Sequence, residues 1–402
     1  MMCGDARESP TSPLPASVSA PGSTSVAALI ADADGGALGE RLAAMGLDAS
    51  RSSSFAAAAA RLLAAGVAPE TRATAFWVPG RIEVLGKHTD YAGGRSLLCA
   101  VNRGFSVVAA DRDDAILRVF ASFELTGEAD VAEVALAAAP EAASPAGWAV
   151  YPAAVSRLAR NFGIRGGVDL ALSCDLPEAS GMSSSSAVVI ATFLCLSARN
   201  RLSAQLRARL PTAEALCHYL GCVENGQDCG HELPGDAGVG TFGGSEDHTA
   251  ILLSRRAELR VYAFCPTALE APLPLHKRYE QFHAESEVLI PAVRGALSQR
   301  EVPLPTLASL VDRSQALTAS HLRNTLEETE WLPAAARRLG AVAASAFGAG
   351  FGGSVWALVE AGRAREILAE WSRAYAEEYP HRQAHARFFA MESPPPGACS
   401  VV

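Results

Sequence analysis

Pro79 to Gly94, reading PGRIEVLGKHTDYAGG, gathers Arg81, Glu83, Lys87, His88 and Asp90 between Gly80, Gly86, Gly93 and Gly94. Cations, carboxylates and an imidazole at this density suit a loop that wraps a small polar ligand. WVPGRIEVLG alternates as a strand entering a core does, which sets the polar cluster at the mouth of a buried element rather than on a solvated turn. A second group is LPEASGMSSSSA, Leu176 to Ala187. It lies between the strand-like GVDLALSCDL and the apolar helix AVVIATFLCLSARNRL. Strand, Gly/Ser loop and helix start in succession present backbone N–H groups to an anion, so Gly181 and Ser183, Ser184, Ser185 and Ser186 are candidate phosphate ligands. Serine-rich stretches are often linkers or caps, but linkers are seldom trapped between two buried apolar runs.

A third cluster runs from Glu224 through GHELPGDAGVGTFGG to Ser245, Glu246, Asp247 and His248, and returns to the apolar TAILL. The last is GAGFGG, Gly348 to Gly353, expected to follow the helical RRLGAVAASAF and to precede the strand SVWALVE. Three Gly-rich sites with a carboxylate cluster point to a phosphorylated ligand.

Two nucleotide motifs are nearly matched and fail. GRIEVLGK has five residues between Gly80 and Gly86, and His88 follows Lys87, so a Walker A cradle would be out of register and its metal-binding hydroxyl one residue late, at Thr89. GAGFGG and the GVGTFG of Gly238 to Gly243 satisfy G-x-G-x-x-G, but a dinucleotide fold needs a strand before and a helix after. With a helix before it and a strand after, the order at Gly348 is reversed, and GVGTFG follows no strand. The glycines of GAGFGG are instead expected to allow close backbone approach to a ligand or a facing loop.

The elements that must position these groups are legible in outline. From about Val26 to Gly66 the chain is rich in Ala and Leu at helical spacing. FWVPGRIEVLG, RSLLCAV, FSVVAADR and ILRVFAS follow as strands, the last three expected as antiparallel neighbours. GWAVYPAAVSRLARNFG is a helical segment with Gly163 in the stop position.

At 402 residues the chain suggests two domains or two lobes sharing a cleft. Apolar residues at 49% supply a core, and a net charge of -9 without long acidic runs gives no nucleic-acid footprint. Apolar runs fall short of membrane-spanning length. The N-terminus reads as a flexible tail rather than a signal peptide, and the protein as a soluble, cytoplasmic one. The nine cysteines are mostly isolated in apolar surroundings and read as reduced core residues. Cys217, Cys222, Cys229 and His231 lie close enough in sequence to weigh as a metal cluster, but without a C-x-x-C pair the core reading is preferred.

With these segments in hand, the chain resembles the GHMP kinases and, within them, the galactokinases. PGRIEVLGKHTDYAGG looks like the galactokinase signature, LPEASGMSSSSA like the phosphate loop and GAGFGGS like the C-terminal glycine motif, in the family's order. GWAVYP and VDLALSCDLP agree, and the likeness spans roughly residues 74–395. The resemblance implies an α+β, two-lobed GHMP kinase fold, with a ribosomal protein S5 domain 2-like N-terminal lobe, a ferredoxin-like C-terminal lobe, and ATP and sugar in the cleft between them. The expected organisation is a flexible tail over 1–25, a helical extension over 26–72, the N-terminal lobe over 73–265 and the C-terminal lobe over 266–402. It further implies transfer of the γ-phosphoryl of ATP to a sugar hydroxyl, in galactokinases the anomeric one. That chemistry needs mostly positioning and charge neutralisation.

By the same resemblance Asp247 is the catalytic carboxylate and Arg81 its partner, holding it ionised and neutralising charge on the transferring phosphoryl. Ser185 and Glu224 match the Mg²⁺ ligands, and Lys87, His88, Asp90 and Glu83 fall in the sugar loop. The chain departs from the family in three places. Galactokinases typically have Asn where this chain has Glu83 and Glu where it has Lys87; the span from Glu224 to Asp247 is longer, as if GQDCGHELPGD were a loop over the cleft; and RVYAFCPTALE replaces the usual Asn-Ser segment. A cation at Lys87 suggests a uronic acid as substrate, while an exposed Glu83–Lys87 pair worth about 0–1 kcal/mol is the competing explanation. The same fold would also serve a non-catalytic ATP- and sugar-binding regulator, or a GHMP kinase for a non-sugar alcohol. No heptad seam argues for assembly, so a monomer is expected.

Overall fold

The computed structural model describes residues 13–123, 129–136, 147–177, 180–264, 275–348, 350 and 352–402. Ten strands occur among them: β1 (Thr24–Ser25), β2 (Arg72–Leu85), β3 (Arg95–Asp111), β4 (Ile116–Phe123), β5 (Ala129–Ala135), β6 (Val168–Cys174), β7 (Arg260–Ala263), β8 (Ala343–Phe347), β9 (Ser354–Leu358) and β10 (Cys399–Ser400). The first sheet has the order β1-β2-β3-β6-β4-β5, with β10 also against β2 and β7 also against β3.

The strands are apolar on both faces because both are covered. Successive side chains of a strand point to opposite sides, so Phe76 and Val78 of β2 join one core cluster while Ala75 and Trp77 join another. Val107 and Ala109 against Val108 and Ala110 split β3 in the same way. The first cluster includes the buried helix Ser184–Arg199. The second is closed by the helices Val26–Asp34, Ala37–Ala44 and Ser52–Ala64, whose Leu29, Leu42, Phe55 and Leu62 lie on the sheet.

Several expectations need correction. RSLLCAV and FSVVAADR are one strand, β3, and it does not neighbour β4: β6 lies between them, antiparallel to β3 and parallel to β4. Alternation alone cannot tell a bend within a strand from a turn between two, and Gly104 is where β3 bends over Val78 and Pro79 with no room for a Cβ. Residues 13–25 of the expected tail are packed: Leu14 and Val18 enter the core and β1 pairs with Arg72 and Ala73. The last residues return to the first sheet, with β10 on β2 and Val401 donating to the Ala75 carbonyl, so 266–402 is not all C-terminal lobe. The expected lobe boundary at 265/266 lies outside the described residues.

In the C-terminal lobe, β8 and β9 form an antiparallel hairpin beside the helices Leu304–Leu317 and Glu327–Arg338. AASAF, expected as helix, is β8; its small residues fit the close packing of buried β8 equally well, and the helix stops at Arg338. GAGFGG is therefore a hairpin loop, with a strand on each side. The dinucleotide fingerprint still fails there, because no helix follows. Leu85 and Leu97 of the first sheet pack on Ile290, Val293, Leu307, Val311 and Ala343, which joins the two lobes through an apolar seam.

Candidate active site

β2 and β3 lose register between Pro79 and Arg81 and again between Glu83 and Leu85. At the first irregularity Gly80 runs against the phosphate loop: a Cβ there would lie 2.7 Å from the Met182 carbonyl oxygen, and the Arg81 amide donates to that oxygen at 3.1 Å. Only glycine allows this approach. The bulge turns Arg81 and Glu83 together toward the end of the helix Glu246–Leu253.

Arg81 and Asp247 meet there. Arg81 Nε donates to Asp247 Oδ1 at 2.7 Å, and Arg81 Nη1 donates to the Gly181 carbonyl at 2.5 Å. The guanidinium thus ties the carboxylate to the phosphate loop. Burial is the largest single influence and disfavours charge on Asp247, but the Arg81 cation and its hydrogen bond, together with smaller contributions from Ser183 and His248, outweigh it and hold the carboxyl below its ordinary range. The Asp247 side chain is 31% exposed against 7% for Arg81, so the carboxylate faces the open side while its partner lies beneath.

The serines line the other side. Ser183 adopts a left-handed backbone, φ 59°, ahead of the helix Ser184–Arg199. Its first-turn N–H groups lack helical partners and point out of the helix start. Ser184 is exposed, Ser185 half-buried, and Ser186 Oγ lies 3.5 Å from Asp247 Oδ2. The glycine hairpin closes on this loop: a Cβ on Gly348, φ +87°, would lie 2.9 Å from the Gly181 carbonyl oxygen. Ser354 Oγ donates to the Ser180 carbonyl. The facing loop that the glycines accommodate is the phosphate loop itself.

The sugar-loop residues separate into two groups. His88 has φ 57°, its carbonyl accepts from Arg278, and its ring lies 5.9 Å from that of Tyr91. Asp90 Oδ2 accepts from the Glu246 amide at 3.1 Å, which caps the helix that carries Asp247. Both side chains are half-buried at the cleft. Lys87 and Glu83 are instead 1% and 3% exposed, which removes the exposed-pair explanation. Lys87 Nζ donates to Ser345 Oγ of β8 at 2.8 Å and to Thr318 Oγ1 at 3.1 Å.

Beneath Arg81 lies a carboxyl pair that sequence reasoning missed. Glu83 and Glu246 hydrogen-bond each other, and Ser96 Oγ donates to Glu246 Oε2 at 2.7 Å. Glu83 Oε1 and Glu246 Oε1 are buried without a donor. A proton shared between the two carboxyls resolves that arrangement, as in other buried acid pairs. Burial pushes Glu83 up to about 7, against the opposing Arg81 and Lys87 cations, and pushes Glu246 well up as well, with Glu83 adding to the effect. Glu285 was also missed; it accepts from Ser314 and faces the Lys87 charge. Glu285 and Thr318 sit in the π-helical segments Ala284–Leu289 and Thr318–Leu322, a local geometry often found at functional positions. Glu246 could have been suspected from its place beside Asp247; nothing in the sequence points to Glu285.

Glu224 ends the helix Ala213–Asn225. Its Oε2 lies 2.9 Å from His248 Nε2 but outside hydrogen-bond geometry, and both atoms are buried. The longer span after it packs onto the sugar loop: the backbone of Gly244 touches Asp90, and Phe242, 69% exposed, has its ring 6.4 Å from that of Tyr91.

Comparison with known proteins agrees with this geometry. The galactokinase galactose-binding signature matches residues 67–111, the GHMP kinase N-terminal domain residues 149–244 and the GHMP kinase C-terminal domain residues 303–377. A galactokinase of Exiguobacterium sibiricum is 29% identical over 76% of this chain and 90% of its own length. One from Chloroflexus aggregans is 27% identical over 74% and 87%. Among solved structures, Lactococcus lactis galactokinase complexed with galactose superposes with a TM-score of 0.55 at 19% identity, covering 81% of this chain and 95% of that one. A D-glycero-D-manno-heptose 1-phosphate kinase from Bacteriodes thetaiotaomicron gives 0.52 at 15% identity, covering 81% and 98%, and shares the fold. With all three domain signatures in order on a two-lobed α+β fold, the chain belongs to the GHMP kinases and, within them, to the galactokinase family.

Proposed function

We propose that the protein is an ATP-dependent sugar kinase that transfers the γ-phosphoryl group to the anomeric hydroxyl of galactose or a closely related sugar. The observation that carries this reading is the Arg81–Asp247 pair held on the phosphate loop through the Gly181 carbonyl. Asp247, kept ionised by Arg81, accepts the proton of the attacking hydroxyl. Arg81 neutralises charge on the transferring group, and the start of the helix Ser184–Arg199 receives the phosphates. His88 and Asp90 are the sugar-loop groups best placed to meet hydroxyls, with Tyr91 and Phe242 forming a wall beside them.

Mg²⁺ fits the donor set by chemistry: Ser185 offers a hydroxyl at the helix start, and Glu224 offers a carboxylate whose Oε2 meets only His248 Nε2, at 2.9 Å and outside hydrogen-bond geometry. Bound there, the ion would neutralise phosphate charge. A uronate substrate loses its main support, because Lys87 is directed to Ser345 and Thr318. A regulator without catalysis has no use for a carboxylate held ionised beside a phosphate loop.

The test is ADP release with ATP·Mg²⁺ and a panel of sugars and uronic acids, followed by NMR location of the phosphate. Galactose-dependent ADP release with a 1-phosphate product is expected. Absence of ADP release with every sugar would favour the regulator, and a preference for galacturonate would restore the uronate reading.

A further inference from the structure

His218 and Cys222 lie one helical turn apart on Ala213–Asn225, so their side chains leave the same face. Cys229 comes from the Gly-rich insertion that follows. One ligand atom from each of the three lies within 4.8 Å of the others, and Cys222 Sγ is 3.7 Å from His218 Nε2. Zn–S bonds of about 2.3 Å and Zn–N bonds of about 2.0 Å set tetrahedral ligand atoms about 3.5–3.8 Å apart. We propose that His218, Cys222 and Cys229 bind one Zn²⁺, with water as fourth ligand on the exposed His218 side, and that this ion fastens the insertion 225–244 to its helix.

The donor set is right for this metal: two thiols and an imidazole are soft and borderline ligands, unlike the oxygen donors of the catalytic site. The ligands are also held in place. Arg157 donates to the Cys222 carbonyl at 2.8 Å and to the Gln227 carbonyl at 2.7 Å, and the Cys229 amide donates to the Leu233 carbonyl at 2.9 Å. Binding Zn²⁺ displaces the thiol protons of both cysteines.

The four residues weighed from sequence spacing thus resolve differently. Cys217 Sγ turns to the His248 carbonyl at 3.7 Å, and His218 takes the place given to His231. The ion would act on a segment that needs a staple. Gly226, Gly230, Gly238 and Gly240 all have positive φ, and glycine loses the most freedom on ordering. The same segment runs into Glu246 and Asp247, and its Val239 amide donates to the Glu224 carbonyl.

The experiment is titration of the full, reduced chain with Co²⁺ and Zn²⁺, alongside Cys229→Ser and His218→Ala, both at sites that are not fully buried. Wild type is expected to bind one Co²⁺ with thiolate charge-transfer and tetrahedral d–d absorption, displaced by one Zn²⁺ that raises Tm. Cys229→Ser should lose about half of the charge-transfer intensity at saturating Co²⁺, one thiolate of two remaining, and weaken Zn²⁺ binding by more than about 100-fold, since even partners of metal ligands are worth about 10–100-fold. Unchanged circular dichroism would show that the variant folds. Failure of reduced wild type to bind either metal, or spectra and affinity in both variants that match wild type, would overturn the proposal. Neither outcome depends on which sugar is phosphorylated.

Discussion

Lys87 Nζ lies 2.8 Å from Ser345 Oγ, so the sugar loop of the N-terminal lobe is tied to β8 of the C-terminal lobe through a buried ammonium. Burial pulls the Lys87 pKa below its ordinary value, and the Glu285 carboxyl, from a third element, opposes that pull and favours the charged amine. Lys87 joins the lobes, with two hydroxyls and a nearby acid arranged to receive it.

Lys87→Met should be costly because it removes the buried donor to Ser345 and Thr318 and the cation near Glu285; leaving such groups unpaired typically costs about 1–3 kcal/mol. The Lys87→Met, Glu285→Gln double variant should recover part of that loss. Denaturant titration of the four proteins in a double-mutant cycle measures the coupling. Additive losses would show that the two groups do not support each other.

Asp247→Asn keeps the shape of the site and removes the proposed base. Turnover should fall by about 10²–10⁴, with ATP binding nearly unchanged. Steady-state kinetics and nucleotide titration separate the two effects, and full activity would remove Asp247 from the mechanism.

Glu83 predicts a pH dependence of stability. Its pKa is raised from 4.5 to about 7, with burial as the largest cause. The folded state therefore binds the proton more tightly than the unfolded chain. The stability this contributes is fully present below about pH 4.5 and lost as pH rises through about 7, by roughly 1–3 kcal/mol. Glu83→Gln can still donate to Glu246 without carrying charge, so its Tm should fall less than that of wild type between pH 5.5 and about pH 8. Equal slopes for both proteins would discard the shared proton.

Gly348→Ala tests the contact between the two glycine-bearing loops. The new Cβ would press on the Gly181 carbonyl at 2.9 Å from a backbone with φ +87°. Strain of about 1–2 kcal/mol at such a site should raise the KM for ATP roughly tenfold, with a smaller effect on sugar KM. A change confined to the sugar would place the hairpin elsewhere in the reaction.

Much of the site is legible in the sequence because its parts are local. The strand into Arg81, the Gly/Ser loop before a helix and the carboxylate at the start of Glu246–Leu253 each leave a short-range signature of alternation, capping or glycine. The helical segment before β2 is legible from Ala and Leu spacing. AASAF misleads because small apolar residues fit a helix and a buried strand alike, and the packing of residues 13–25 escapes notice because a few apolar residues among Pro and Ser carry no period.

What the sequence determined by itself was a chemical inventory: a Gly/Ser loop before a helix, an acid and an arginine expected beside it, and a glycine-flanked polar loop carrying Glu83 and Lys87, in the order of a known family. Only the tertiary structure decided what Glu83 and Lys87 meet. Ser345 and Glu285 are far along the chain from Lys87, and Glu246 lies on a different element from Glu83, so no spacing rule connects them. Burial then sets their chemistry, since a charge in a dry interior must find a partner or share a proton, and where those partners lie is settled by how the lobes pack.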